Sequence, residues 1–250
     1  MILRWMARAG LALILLAGAL PACARELLVV GTQFGRLFEQ APNGEFEGLA
    51  VTLVREFARA GGHTVRFDIY PWARAQMMVQ TGKADMLIGP YKTPERELLF
   101  AFSDKAFYRD EMVFYARTGS STRWDGDYAQ LRGLRIAAIR GWAYGAGFEA
   151  ARLQADMTNN LQSGILMLNE KRVDLLATNR RNTEALLATM ANPPDIQAIS
   201  PIIEVLDGYF AFPKSAEAGP LRAEFNAFFN GLIRKGELAR LARQHGVTIP

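Results

Sequence analysis

The chain has 250 residues, 50% of them hydrophobic, and its 29 Lys and Arg against 25 Asp and Glu give a formal net charge of +4. That length and apolar fraction support one large domain or two lobes with real cores, and exclude a disordered chain. With Cys23 the only cysteine and His63 and His245 the only histidines, a disulfide framework is excluded and a metal site is not expected. No Lys/Arg block reads as a nucleic-acid patch, and Arg180-Arg181 is more simply a solvated helix start.

The start of the chain looks like an address. Arg4 and Arg8 mark a basic opening, Leu11 to Leu20 is a compact apolar run, and Ala22-Cys23-Ala24 offers small residues for cleavage. The run is about half the roughly 20 residues that span a bilayer, so residues 1–24 read as a signal peptide and not a membrane helix. The expected product is periplasmic and soluble after cleavage near Arg25. Leu20-Pro21-Ala22-Cys23 also resembles a lipoprotein signal, which leaves an anchor through Cys23 as the alternative. Pro21 is awkward inside such a box, and the first strand follows within a few residues.

Beyond the signal, helical and strand patterns alternate. Leu27 to Gly31 is an apolar strand; Leu49, Leu53 and Phe57 mark an amphipathic helix closed by Gly61-Gly62. Val65, Phe67 and Ile69 alternate with polar residues as a half-buried strand. Pro71 suits a first helical turn, a helix runs from Trp72 to Gly82, and Ala84 to Gly89 is a second apolar strand. This βαβαβ order predicts an α/β fold with a mostly parallel sheet flanked by helices.

The second half repeats the scheme. Strands are predicted over 112–117, 135–140, 173–178 and 209–212, and helices over 148–155, 165–171 and 183–190. Two C-terminal helices fill 221–244 around Gly236. No low-complexity linker separates the halves, so the boundary is expected at two crossing strands near 110–116 and 206–212.

Eight short motifs, in order over the whole mature chain, resemble those of the family 3 periplasmic solute-binding proteins that serve polar amino-acid ABC importers. In the first half they are Gly44-Glu45-Phe46-Glu47-Gly48, Pro71-Trp72-Ala73-Arg74, Gly82-Lys83-Ala84-Asp85, Thr93-Pro94-Glu95-Arg96 and Phe102-Ser103-Asp104. Leu131-Arg132-Gly133, Arg140-Gly141 and Arg172-Val173-Asp174 continue the series. The resemblance implies a two-lobe periplasmic binding protein of type II-like fold, closing on a ligand about a two-strand hinge. Lobe 1 would be 25–111 plus 210–250 and lobe 2 would be 112–209, with the C-terminal helices packed back on lobe 1.

The same resemblance implies a ligand site. Arg96 falls where family members pair an arginine with the ligand carboxylate, a task its planar fork suits; a surface arginine beside Glu95 or Glu97 is the plainer reading. Trp72 falls at an aromatic wall, or is a core plug. Gly89 and Tyr91 lie on the strand-end loop. Arg140, Trp142 and Ala143 surround the glycine turn before a helix, where backbone N–H groups meet the carboxylate. Phe34 and Arg36 fall in a loop that contributes a ligand-facing aromatic, while Tyr144 and Phe148 read as helix core. Asn179 stands where amino-acid binders place an acid for the ligand ammonium, and Asp174 lies at the far end of its strand. The first lobe is expected to offer no acid either, since Leu49-Ala50-Val51 follow Gly48.

The implied role is a non-enzymatic, cofactor-free, metal-free monomer. It would capture an amino acid or related organic acid for an ABC permease in the inner membrane, with no nucleic-acid partner. Two alternatives stay open. One is a sensing or accessory module for a membrane sensor or periplasmic redox enzyme. The other is a periplasmic dehydratase-like enzyme, which would need a tuned acid or base among Glu39, Glu45 and Asp104.

Overall fold

The computed structural model describes residues 25–250; the expected signal peptide and the Cys23 anchor lie outside the described residues. The first strand, β1 (Glu26–Gly31), is followed by a small hairpin of β2 (Glu39–Gln40) and β3 (Phe46–Glu47) that the hydrophobic pattern did not reveal. Helix α1 (Leu49–Gly61) then buries Leu49, Ala50, Leu53, Val54, Phe57 and Ala58 along one face. It begins at Gly48, where a Cβ would lie 2.4 Å from the Leu37 carbonyl and φ is +114°. Only glycine fits there. Gly62 ends the helix in the left-handed region, its N–H bonded to the Ala58 carbonyl.

Next come β4 (Thr64–Ile69), α2 (Trp72–Gln80), β5 (Met86–Tyr91), α3 (Pro94–Leu99), β6 (Phe100–Phe102) and β7 (Tyr108–Arg117). The second half supplies β8 (Ile136–Ile139), α4 (Ala146–Ala151), β9 (Ala155–Thr158), α5 (Leu161–Asn169), β10 (Leu175–Asn179) and α6 (Arg180–Thr189). The chain closes with β11 (Ile196–Pro213), α7 (Gly219–Arg234) and α8 (Glu237–His245).

The main sheet runs β4-β1-β5-β11-β7-β10-β8-β9, with β6 also on β11. Parallel pairs occupy its two flanks, β4–β1–β5 and β10–β8–β9. The central seam is antiparallel: β11 pairs with β5, β6 and β7, and β7 pairs with β10. Strand β11 is much longer than the expected 209–212. Its Pro201 hid the early part, and a register shift between Ile199 and Glu204 is how the ladder passes that proline. The helix expected to reach Ala155 stops at Ala151, because Arg152 adopts a left-handed cap, and β9 follows.

The described core forms two apolar clusters, a large one that runs through both halves and a smaller one in the second half. In one, Phe225 of α7 packs on Phe57 of α1 at 5.2 Å and on Phe210 of β11 at 4.9 Å, which fixes the C-terminal helices to the N-terminal half. Burying each such ring contributes about 1.5–3 kcal/mol. The other gathers Ile165 and Leu168 of α5 with Val113, Tyr115, Ala137 and Leu176. At the junction of the halves, the loops after β1, β5, β8 and β10 face one another.

Candidate ligand-binding site

Thr93 caps α3, its hydroxyl accepting from the Arg96 N–H at 3.3 Å, and Pro94 presets the first turn. That local code holds Arg96 at the strand-end loop, where it is 8% exposed. Its Nη1 donates to the Tyr91 carbonyl at 3.0 Å and its Nη2 to the Gly141 carbonyl at 2.9 Å. Trp72, the first residue of α2, donates Nε1–H to the same Gly141 carbonyl at 3.1 Å, and its ring lies 5.7 Å from the guanidinium. Arg96 and Trp72 of the N-terminal half thus clasp the turn after β8 in the second half. Among the described residues no ion pair involves Arg96, and burial lowers its pKa below the ordinary arginine value.

Phe34 meets Trp72 edge to face at 5.6 Å. Gly89, with φ +88°, admits that ring: a Cβ there would lie 3.0 Å from Phe34 and 3.3 Å from the Tyr108 hydroxyl. Phe34, Trp72, Gly89, Tyr91, Arg96, Trp142 and Ala143 together line a cavity of about 10 Å³. That is at or below the volume a single water needs, so the two halves are closed upon each other here. A far larger concavity, about 910 Å³, is lined by Trp142 together with residues of α4 and β9. It shares Trp142 with the candidate site but not Arg96, so size alone does not identify the site.

Arg140 stands apart. Its side chain is exposed and lies outside this cavity, while its N–H bonds the Thr158 carbonyl at 2.8 Å. Arg36 is also exposed and reaches the Gly246 carbonyl at 3.2 Å. Tyr144 and Phe148 are buried against each other at 4.7 Å, and Asp174 is held by Arg135 at 2.7 Å on the strand's far end.

Asn179 is 1% exposed and caps α6, its Oδ1 accepting from the Asn182 N–H at 2.8 Å. Its amide NH₂ points to the Tyr91 hydroxyl at 3.4 Å. What Asn179 turns toward the cleft wall is therefore a donor, with its acceptor committed to the helix.

Behind that wall lies an ion pair that the sequence reading missed. Arg181 donates Nε–H and Nη2–H to the two oxygens of Asp110, each at 2.8 Å, and Nη1–H to the Gly35 carbonyl. Asp110 also accepts from the Tyr91 hydroxyl at 2.8 Å. The Gly35 N–H donates to Asn182 Oδ1 at 3.0 Å, so this peptide of the N-terminal half is pinned from both sides by α6. Two expectations are thereby corrected. Arg180-Arg181 is not a solvated pair, since only Arg180 reaches solvent, on Glu111 at 2.7 Å. The N-terminal half does offer a buried acid, Asp110. Its signal was in the alternation of β7: Tyr108, Asp110 and Met112 share the buried face, while Arg109 and Glu111 face outward.

Among the described residues, no group of three or more His, Cys, Asp or Glu side chains is placed to hold a metal, and no helix is long and apolar enough to cross a membrane. No curated protein matches the chain. Similar solved structures include a mutant of ArgBP from T. maritima, 23% identical with a TM-score of 0.75, covering 88% of this chain and 94% of that one. A substrate-binding protein of an ABC uptake transporter from Streptococcus pneumoniae, solved with bound histidine, is 19% identical with a TM-score of 0.74 over 88% and 91% of the two chains. A histidine kinase sensor domain with similarity to periplasmic binding proteins is 19% identical with a TM-score of 0.77 over 91% and 99%. At these identities the likeness carries the two-lobe fold alone. The model of the bacterial extracellular solute-binding proteins, family 3, matches residues 28–248, nearly the whole of the described chain, and the protein belongs to that family.

Proposed function

We propose that this protein captures a small carboxylate-bearing ligand, an amino acid or related organic acid, between two lobes that close about a hinge. Lobe 1 is 25–111 plus 210–250 and lobe 2 is 112–209, with β7 and β11 as the hinge strands. The observation that carries the reading is Arg96. Its guanidinium is buried between the halves, stacked by Trp72 and bonded only to carbonyls. Opening the lobes withdraws the Gly141 carbonyl and turns the fork toward the cleft. A carboxylate then replaces neutral acceptors with charge-assisted, two-point bonds, which are roughly twice as strong. The Ala143 N–H on the facing turn is the second-lobe donor we assign to the same carboxylate. Phe34, Tyr91 and Trp142 wall the remainder of the ligand.

Delivery to an ABC permease from the periplasm, by a monomer, completes this reading; membership in the family supports it. The likeness to a histidine kinase sensor domain supports a second one, ligand sensing for a membrane partner. The same cleft serves both.

A thermal-shift screen of the protein against amino acids, organic acids, opines and polyamines tests the reading, because a ligand that binds only the folded state raises Tm. Carboxylates are expected to raise it, and Arg96→Ala to abolish the shift. A response to polyamines alone would overturn the proposal.

A further inference from the structure

We propose that Arg181 determines specificity by occupying, from within the protein, the place beside Asp110 that a ligand cation would take, so that the ligand is a carboxylate without an ammonium group. The inference rests on the reading of Arg96 as the carboxylate anchor.

The charges around the cleft lead to it. Arg96 brings one positive charge with no acid bonded to it, whereas Asp110 and Arg181 cancel. The Asp110 side chain has 0% exposure and that of Arg181 9%. Asp110 is separated from the cleft by one hydroxyl, since Tyr91 lines the cavity and donates its O–H to Asp110 Oδ2. Arg181 is held on both carboxylate oxygens, on the Gly35 carbonyl and over the Tyr108 ring at 5.2 Å. An entering ammonium would have to displace that guanidinium or lie unpaired in a closed site, and an unpaired buried charge is costly. The other acceptors nearby are neutral and engaged: Asn179 Oδ1 by the Asn182 N–H, the Gly89 carbonyl by the Tyr108 hydroxyl at 2.6 Å, and the Tyr91 and Gly141 carbonyls by Arg96, so none supplies a countercharge. What remains is one cationic fork and the rings of Phe34, Trp72 and Trp142. That lining suits a monoanion with an apolar or aromatic body.

The test is calorimetry on matched pairs that differ only at the α-position: L-phenylalanine against 3-phenyllactate, L-leucine against 2-hydroxyisocaproate, and L-glutamate against 2-hydroxyglutarate, with benzoate and phenylacetate added. The tightest binder is expected to lack an ammonium, and within its pair to exceed the amino acid by at least about tenfold, an unpaired ammonium's cost being well above that factor's free energy. A smaller ratio, or its reverse, overturns the inference while leaving carboxylate capture standing. If no carboxylate in the panel binds, the functional reading falls and this inference with it. Arg181→Met exposes the Asp110 charge and is expected to shift the preference toward the amino acid by about tenfold or more. Asp110→Asn with Arg181→Met removes both charges and is expected to keep the preference of the unmodified protein. An Arg181→Met protein that folds yet shows no shift overturns the role of Arg181. Should that variant not fold, the panel on the unmodified protein decides alone.

Discussion

Arg96 and Arg181 both stand in the first turn of a helix, and both are almost wholly buried, yet their surroundings are opposite. Burial by itself lowers an arginine pKa. At Arg181 the Asp110 charge and its hydrogen bonds outweigh that effect and raise the pKa above the ordinary value. At Arg96 no acid is bonded and burial prevails, so the pKa falls. A buried cation with its counter-ion in place belongs to the architecture. One that meets only carbonyls is stabilised further by an anion from outside the chain, and that difference separates the site from its scaffold.

Stability should separate the two arginines most. Arg181→Ala and Asp110→Ala should each lower the unfolding free energy by about 3–5 kcal/mol, since each strands a buried charge. The double change Asp110→Asn with Arg181→Met should recover most of it, because a neutral filling of similar volume avoids that penalty. Urea titrations measure all three, and single losses below about 1 kcal/mol would mean that the pair behaves like a surface one.

Arg96→Ala should show the reverse pattern. Its stability change should stay within about 1.5 kcal/mol, the scale of ordinary hydrogen bonds. Carboxylate affinity should fall by roughly a hundredfold to a few thousandfold, as the ligand charge is left unpaired. Arg96→Lys should restore only part of it, because an ammonium cannot reproduce the fork. Unchanged affinity in Arg96→Ala by calorimetry would remove the anchor.

Gly35→Ala sharpens the comparison at the contact between the halves. A Cβ there would lie 2.5 Å from the Ala185 Cβ on α6, and such overpacking costs about 1–3 kcal/mol. If the lobes move, the wedge acts against closure: ligand affinity should drop roughly fivefold to a hundredfold. The radius of gyration by small-angle scattering should rise, and saturating ligand should reverse it. A radius unaffected by both the substitution and ligand would identify a rigid scaffold.

The smallest effect concerns His245, half-buried beside Thr52 at 3.2 Å. Burial lowers its pKa below the ordinary 6.5, against the opposing charge of Glu47. The unfolded chain therefore binds the proton more readily. This contribution to stability is complete above the unfolded pKa and is lost as pH falls from about 6.5 toward the lower folded value. His245→Gln should flatten that shallow acid-side slope in thermal melts taken across the window, and an unchanged slope would assign it to the carboxylates.

Several positions of the candidate site carry local signals. Thr93 and Pro94 carry a helix-start signal that the motif resemblance passed over, and Arg96 follows within the same turn. Pro71 places Trp72 at the start of α2. Gly89 was expected to end its strand, but β5 continues through it to Tyr91, with Gly89 at φ +88°. Strand β11 was less legible, since Pro201 conceals a pairing made through a register shift. Asp110 went unread although β7 alternates in plain view, because an acid among buried positions becomes intelligible only with its partner. Arg140 misled for the matching reason: its neighbours predict a turn, but nothing local states which way a side chain at a strand end will point.

Local pattern in the sequence specified the longer helices, most strands of the main sheet and the glycine turns, but the short helix α3 that carries Arg96 was not read from it. Periodicity, capping and φ restriction act within a few residues, so the chain carries them openly. Only the tertiary structure decided that Arg96 reaches the Gly141 carbonyl 45 residues away, and that Arg181 meets Asp110 across 71. Those pairings depend on how the antiparallel seam of β7 and β11 brings the two parallel flanks together, and a neighbourhood of a few residues holds no record of which acid will face which base.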